Sequence, residues 1–249
     1  MGLLEAVRVG RLDQEHLDLL ESLDRPLARE DIKPTKLYPL NSLVDAENAR
    51  RLGGDECSGP PWTYEALDAG KQPDLAYLIK NCPASDILVL RVGAQVIHTI
   101  NHPDHPEVVN GSRGVVIGFT SDGYPTVKYA ACTMTVTLHR WDFSPNPHSS
   151  AVTASRTQLP LRLAWSISIH RSQGMSIDFL EVFLDRIFGD GMAYVALSRS
   201  TSLAGLRVHS SRVLVEQMTA NPAVLAFDRS ISAGHRSETG APGGMLSRG

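Results

Sequence analysis

The 249-residue chain sets 24 lysines and arginines against 27 aspartates and glutamates, a formal net charge of −3. No global basic field announces a nucleic-acid binder, so any such contact must rest on a local patch. Cys57, Cys82 and Cys132 are odd in number, widely spaced and form no CxxC pair, which excludes a disulfide scaffold and points to a reducing, intracellular compartment. No apolar run approaches the roughly 18–20 residues of a membrane span, and the N-terminus lacks the basic-then-apolar pattern of a signal peptide.

In chain order, Gly2 to Val9 places Leu3, Leu4 and Val7 on one helical face. Asp13 is set to cap a second amphipathic helix carrying Leu17, Leu20 and Leu23. Lys36 to Leu40 reads as a short strand, followed by a helix that Ser42 can cap, with Asp45 three residues on, and that Gly53-Gly54 stops. Residues 54–85, rich in Pro, Gly and Asp, predict a loop with one short helix near Asp74 to Lys80.

From Ile87 the texture changes to short strands. Val92 to Ile97 and Arg113 to Phe119 flank the Asn110-Gly111 turn, Asp122-Gly123 turns the chain again before Thr126 to Ala130, and Met134 to Leu138 alternates as a half-buried strand does. Four or five strands in about 70 residues suggest a small barrel. After Leu159-Pro160 the α/β texture returns. Leu161 to Ile169 alternates with period two, Phe179 to Leu184 is a second apolar strand, Met192 to Ser200 a helix, and Leu206 to His209 a third strand. Asn221-Pro222 opens a last helix through Phe227. The expected organisation is an α/β unit over residues 1–85 and 159–231, a β insertion over 86–158, and a Gly/Ser-rich disordered tail over 232–249.

Two places can carry chemistry. His170-Arg171-Ser172-Gln173-Gly174 follows a buried strand, and ligands of open α/β sheets bind at the carboxyl ends of strands. His170 and Arg171 suit phosphates, Gln173 both donates and accepts, and backbone N–H groups around Gly174 can approach an anion. The plain alternative is an ordinary polar turn. Arg199, at helical spacing from Val195, would by itself read as a solvated surface arginine. His98, His102 and His105 have a spacing that zinc could use, but they sit in a Pro-rich turn, and a solvated loop with no metal site is the expectation. Phe119, Tyr124 and Tyr129 are candidates for base stacking or simply for barrel core.

The strings AWSISIHRSQGMSID (164–178) and GMAYVALSRSTSLAGLRV (191–208) resemble motifs V and VI of the Pif-type DNA helicases of superfamily 1B. KLYPLNSLVDAENARRL (36–52) is similar to the segment opening that family's second RecA-like domain. LRVGAQVI (90–97) and VVNGSRGVVIGF (108–119) are similar to its inserted barrel, and RTQLPLRLAW (156–165) to the return. The resemblance covers residues 2–230, with Arg171 where lysine is usual, Ser176 for threonine and Ser200 for alanine.

It implies the α/β fold of a RecA-like P-loop NTPase, specifically its second motor domain with a small inserted β-barrel. The activity implied is ATP-dependent 5′→3′ unwinding in replication, repair, recombination and telomere or mitochondrial genome maintenance, inside the cell and, if the source is eukaryotic, in the nucleus and/or mitochondrion. Arg199 would be catalytic, reaching the γ-phosphate as a planar, permanently charged fork. Gln173, Gly174 and Arg199 would contact the nucleotide; His170, Arg171, Tyr194, Ser198, Ser202, Arg207, Arg113 and Lys128 would contact nucleic acid. The implied partners are ATP with Mg2+, single-stranded DNA and forked or structured DNA, bound by a monomer away from any membrane.

The sequence contains no GxxxxGK[ST]; Gly70-Lys71 is followed by Gln72, and the Asp55-Glu56 pair follows glycines, not an apolar strand. Those elements belong to the family's first motor domain, so the chain reads as the second half of a helicase, expected to be inactive alone. Two rivals stand beside that reading: a non-catalytic single-strand-binding or regulatory module from a truncated helicase gene, and a metal-dependent hydrolase using the histidines with Asp104 and Glu107.

Overall fold

The computed structural model describes residues 2–27, 32–146, 151–184, 189–209 and 225–226. The expected Asn221 cap with Pro222 at the first helical position, the helix end at Phe227, and the tail 232–249 lie outside the described residues.

The first two helices form where their caps place them. Helix α1 (Leu3–Val9) ends on Gly10, whose φ of 65° is the left-handed conformation that glycine adopts without a Cβ clash. Helix α2 (Gln14–Ser22) starts at Asp13, whose carboxylate accepts the His16 N–H while the His16 ring reaches back to the Asp13 N–H. After strand β1 (Thr35–Tyr38), helix α3 (Asn41–Leu52) corrects the predicted cap. Leu40 is the N-cap, no side chain caps it, and Ser42 lies inside the first turn. Tertiary bonds hold α3 instead: Asn48 Nδ2 donates to the Ser166 carbonyl at 2.9 Å, Asn48 Oδ1 accepts the Ser166 N–H at 3.0 Å, and Ser166 Oγ donates to the Val44 carbonyl at 3.0 Å. Burial alone would raise the Glu47 carboxyl, but bonds from Lys36 and Arg50, with Arg51, hold it down at about 2, locking the helix to β1.

The stretch predicted as loop contains two strands, β2 (Ser58–Glu65) and β3 (Leu67–Gly70), before helix α4 (Asp74–Asn81). Pro60 and Pro61 hid β2. Among the described residues it pairs only with β4 (Ile87–Val92), and its register shifts between Ser58 and Trp62, so the missing N–H groups fall on an edge strand at an irregularity. The predicted strand Val92 to Ile97 is split between β4 and β5 (Gln95–His98) by Gly93. Its φ is 91°, and a Cβ there would collide with the Glu56 carbonyl. Strands β6 (Arg113–Phe119), β7 (Pro125–Tyr129), β8 (Thr133–Thr135), β9 (His139–Phe143) and β10 (Ala154–Gln158) follow. The apolar alternation from Leu161 to Ile169 is likewise two strands in two sheets, β11 (Leu161–Leu163) and β12 (Ser166–Ser168). Strand β13 (Leu180–Phe183), helix α5 (Met192–Leu197) and strand β14 (Leu206–His209) complete the described elements. Helix α5 stops short of the predicted end, which leaves Arg199 just beyond it.

The fold is mixed α/β. A four-stranded sheet, ordered β12-β1-β13-β14 and parallel throughout, carries one core that includes Leu37, Ile167, Ile177, Leu180, Val182 and Val208. An antiparallel sheet, β11-β5-β6-β7-β8, with the β2-β4 pair beside it, carries a second core around Leu90, Val96, Val116, Val127 and Leu159. A three-stranded sheet, β3-β10-β9, packs against α4. Arg156 pins it, binding Asp68 at 2.8 and 3.1 Å and Asp86 at 2.5 Å. Gly205 sits where the chain enters β14, and a Cβ there would overlap the Asp178 carbonyl oxygen.

Between the first two cores lies a seam of buried polar groups. Gln95 Nε2 donates to the carbonyls of Lys33 and Ala164 at 2.7 and 3.0 Å, and Thr35 Oγ1 donates to Ala164 O at 2.9 Å. Arg113, predicted to contact nucleic acid, is spent here. Its side chain is 1% exposed, Nε meets Asp178 Oδ1 at 2.6 Å, Nη1 donates to Lys33 O at 2.7 Å, and the guanidinium lies 5.4 Å from the Phe179 ring centre.

His98 is also a core residue: fully buried, its Nδ1 is 2.9 Å from Tyr129 Oη, and burial pushes its pKa down to about 4. The folded chain therefore keeps this imidazole neutral, while the unfolded chain protonates it below about 6.5. Stability contributed at neutral pH should be lost as pH falls from about 6.5 toward 4, by roughly 3 kcal/mol from this group. Urea unfolding across that range should show the slope, and His98→Gln should flatten it. An unchanged slope in the variant would place the titration elsewhere.

Candidate functional site

The turn after β12 is built from the backbone outward. Ser172 N–H bonds Ser168 O at 3.0 Å, Gln173 N–H bonds His170 O at 3.3 Å, and Met175 N–H bonds Ser172 O at 3.0 Å. The buried Ser172 hydroxyl donates to Ile169 O at 2.8 Å. Gly174 closes the turn with φ 78° and open space where a Cβ would stand. The apolar alternation ends at Ile169, so His170, Arg171 and Gln173 project outward and are exposed.

These three side chains line one open groove of about 690 Å³, together with Lys80, Arg156 and Arg162 from other elements. Asp45 and Asp86 are the carboxylates on its wall, and Asp86 is already engaged by Arg156. Sequence reasoning missed Arg162. It alternates out of β11 between Leu161 and Leu163, and a lone arginine in an apolar strand carries no signal until the groove is seen. Burial, then the nearby Arg171 charge, lowers its pKa to about 10. It forms no ion pair among the described residues, and its Nε is buried without a hydrogen-bond partner. A charge desolvated and left uncompensated is costly unless an anion completes it.

The second segment is zipped to the first. Ile177 N–H bonds Arg199 O at 2.8 Å and Thr201 N–H bonds Ile177 O at 3.1 Å, the pattern of a parallel bridge between Ile177 and Ser200. The half-buried Arg199 side chain folds over the end of α5. Nε donates to Val195 O at 3.0 Å, Nη2 to Ser198 Oγ at 3.0 Å, and Nη1 crosses to Met175 O at 3.2 Å. Each acceptor is neutral, so the guanidinium keeps a whole charge for an anionic ligand.

The remaining predicted residues are placed differently. Tyr194 and Ser198 are half-buried on and just after α5, and Ser198 Oγ also donates to Val195 O at 3.0 Å. Ser202 Oγ accepts the Gly205 N–H at 3.2 Å and shapes the turn into β14. Arg207 is drawn to Asp24 at 3.3 Å and Glu181 at 3.9 Å. Lys128 is exposed on β7. Neither of these two, nor Arg113, lines the groove. Among the aromatic candidates, Tyr129 is core, while Phe119 stacks at 5.2 Å on Trp62, an exposed ring on β2 that the loop assignment concealed.

Arg162→Met should separate stability from ligand binding. It removes an unpaired buried charge at similar volume, so chemical denaturation should show a chain more stable by about 1 kcal/mol, while affinity for a phosphate-bearing ligand falls. Loss of stability would mean that Arg162 holds the fold.

No protein-family model matches the chain. The ATP-dependent DNA helicase PIF1 of Homo sapiens is 41% identical over 214 residues, covering 84% of this chain and 32% of that protein. Among solved structures, the Pif1 helicase of Candida albicans is similar with a TM-score of 0.69 and 32% identity, over 92% of this chain and 57% of that one. Pif1 helicase from Bacteroides, in complex with ADP-AlF3 and single-stranded DNA, is similar with a TM-score of 0.61 and 28% identity, over 93% and 53%.

Proposed function

Because the chain is homologous over most of its length to Pif1 ATP-dependent DNA helicases, and spans 32% of the human one, we propose that it forms the second RecA-like motor domain of such a helicase. In this reading residues 1–85 and 159–231 make the motor domain and 86–158 an inserted small barrel. The antiparallel sheet over β5–β8 and β11, with its own apolar core, supports the insertion; β11 extends it past residue 158.

The observation that carries the reading is the zip between the two motifs. Arg199 and the His170–Gly174 turn share backbone bonds through Ile177 and a side-chain bond through Met175. A movement of one is therefore felt by the other. When ATP is gripped between this domain and a first motor domain carrying the phosphate loop and magnesium ligands, Arg199 swings from its neutral carbonyl acceptors to the γ-phosphate, and Gln173 and Gly174 face the same nucleotide. Magnesium, held by residues of that first motor domain, would supply charge neutralisation on the nucleotide's phosphates. The turn moves with the arginine, and His170 and Arg171 change their hold on a single strand lying along the groove. Repeated closing and opening ratchets the strand in the 5′→3′ direction. The Bacteroides relative's complex with both a nucleotide analogue and single-stranded DNA supports this pairing of ligands. A Pif1 relative's structure concerned with unwinding at forked duplex DNA supports forked DNA as substrate; genome maintenance as the process and an intracellular location are proposed with it. No helix among the described residues is long and apolar enough to cross a membrane.

In a protein that also contains a first motor domain, Arg199→Ala should lower DNA-stimulated ATP hydrolysis by about 10³–10⁵, roughly 4–7 kcal/mol of transition-state stabilisation, with single-strand affinity nearly unchanged. Arg199→Lys should not restore the rate, because an ammonium lacks the planar fork. Arg140→Ala, at an exposed pair with Asp142, should leave it intact. The 249 residues alone should show no metal-dependent ATP turnover. Joint loss of rate and DNA affinity in Arg199→Ala would assign the arginine to the fold or the strand.

Single-strand binding by the isolated chain should be weak and salt-sensitive. With Arg162, His170 and Arg171 as contacts, the log–log salt plot should fall with a slope of about −0.7 per phosphate neutralised. Salt-independent binding would remove the groove from the mechanism.

A further inference from the structure

The long loop between β5 and β6 carries a second chemistry-bearing cluster, remote in sequence from the groove residues. The chain leaves β5 at His98 and folds back on itself. His102 N–H bonds Val108 O at 2.9 Å, Val108 N–H bonds His105 O at 2.8 Å, and the fully buried Val108 anchors the loop in the antiparallel core. This fold brings His105 and Glu107 against Cys132, which lies 27 positions after His105 in the β7–β8 turn and is fixed there by the Tyr129 N–H to Cys132 O bond of 2.8 Å. One ligand atom from each of His105, Glu107 and Cys132 lies within 4.8 Å of the other two. His105 Nδ1 and Glu107 Oε1 are already 3.1 Å apart, and the Cys132 sulfur lies within 4.8 Å of a ligand atom of each.

We propose that His105, Glu107 and Cys132 form a zinc-binding site that clips the β5–β6 loop to the β7–β8 turn. An imidazole nitrogen, a thiolate and a carboxylate oxygen are the donor types zinc prefers, whereas magnesium and calcium favour all-oxygen sets. Tetrahedral zinc with bonds of about 2.0–2.3 Å needs its ligand atoms roughly 3.5 Å apart. Separations of at most 4.8 Å must close by no more than about 1.3 Å, within rotamer reach of side chains that are 40% (His105) and 38% (Glu107) exposed. On binding, the Cys132 S–H bond breaks and its proton leaves to solvent. The sulfur pair, the neutral His105 Nδ1 and one Glu107 oxygen bind the ion, and thiolate plus carboxylate balance its two charges. Water takes the fourth position. His102 stays outside the set: its ring is edge-on at 5.0 Å from that of His105, and its Nδ1 accepts the Asp104 N–H at 3.2 Å.

Sequence spacing offered His98, His102 and His105 as a zinc set, with a solvated loop and no metal site as the expectation, and the cluster proposed here shares only His105 with that set. His98 is core, and the ligands come instead from the next turn and from a cysteine that no local pattern connects to them. The loop they clip ends at Gly111, where a Cβ would stand 2.5 Å from the Ser176 carbonyl oxygen. It thus rests on the segment just after the His170–Gly174 turn.

The test uses the whole 249-residue chain, zinc and cobalt(II). The purified chain should retain about one equivalent of zinc through gel filtration, unfold at higher temperature with zinc than after chelation, and show a thiolate-to-cobalt charge-transfer band when cobalt is added. Cys132→Ser should abolish the band; Cys57→Ser and Cys82→Ser, at buried thiols outside the cluster, should keep it. His105→Ala and Glu107→Gln should each weaken zinc binding by at least about tenfold, the loss expected from removing even an outer hydrogen-bond partner of a ligand. The three variants should fold as the parent does without metal, read by circular dichroism. No cobalt band, a band surviving in Cys132→Ser, or zinc affinity indifferent to both other substitutions would overturn the site.

Discussion

The ion pair between the buried Arg113 and the half-exposed Asp178 is the constraint on which the arrangement of the two sheets turns. It reaches from a strand of the antiparallel sheet to the lead-in of a strand of the parallel one, and the same guanidinium takes the Lys33 carbonyl. Gln95 and Thr35 share the carbonyls of Lys33 and Ala164 around it. These backbone groups belong to the segments entering β1 and linking β11 to β12, which would otherwise be buried without secondary-structure partners. Side chains supply what a ladder does not. Burial pushes the Asp178 carboxyl up, but the Arg113 bond and charge outweigh this and hold it below its ordinary range. Removing Asp178 would leave the Arg113 charge buried without its counter-ion, at a cost of about 3 kcal/mol, whereas removing Arg113 would leave a carboxylate that water still reaches.

The functional reading depends on an economy of the same kind. The His170 turn bonds the amides of Ser172, Gln173 and Met175 to its own carbonyls and that of Ser168, so its exposed side chains are presented from a braced base. Arg199 is held by carbonyls and a hydroxyl, contacts weak enough to exchange for a phosphate and directional enough to keep the fork near the turn. A carboxylate in their place would have held the arginine against release. The groove follows the opposite logic, leaving Arg162 short of partners in a setting where an anion is the missing complement.

Much of the parallel sheet was legible in the sequence because it follows local rules. Asp13 and Gly53 punctuate helices in ways that caps explain, and Leu180 to Phe183 and Leu206 to His209 are short apolar strands of a two-sided sheet. The motifs were legible as strings, from Ala164 to Asp178 and from Gly191 to Val208. What failed was whatever depended on distant partners. Period two ran unbroken from Leu161 to Ile169, yet the chain changes sheets at Ala164-Trp165, and nothing in alternation encodes which sheet a strand joins. Pro60-Pro61 argued against a strand that exists because its proline side is an edge. Arg113 and Arg207 looked like free cations because Asp178, Asp24 and Glu181 lie far away in sequence. The Cys132 cluster is invisible for the same reason.

Gly205 has a consequence in genetic terms. Its backbone is ordinary, with no left-handed φ to demand glycine; the demand comes from the Asp178 carbonyl, which occupies the place of a Cβ. The crowding lies where two strands of the parallel sheet begin, beside the partner of Arg113. Every amino-acid replacement at this codon adds a side chain, so no missense change is conservative here, alanine included. Codon 205 should therefore behave as a position of uniform intolerance, in contrast to Gly174, where space is open and the penalty comes from φ and is eased by asparagine.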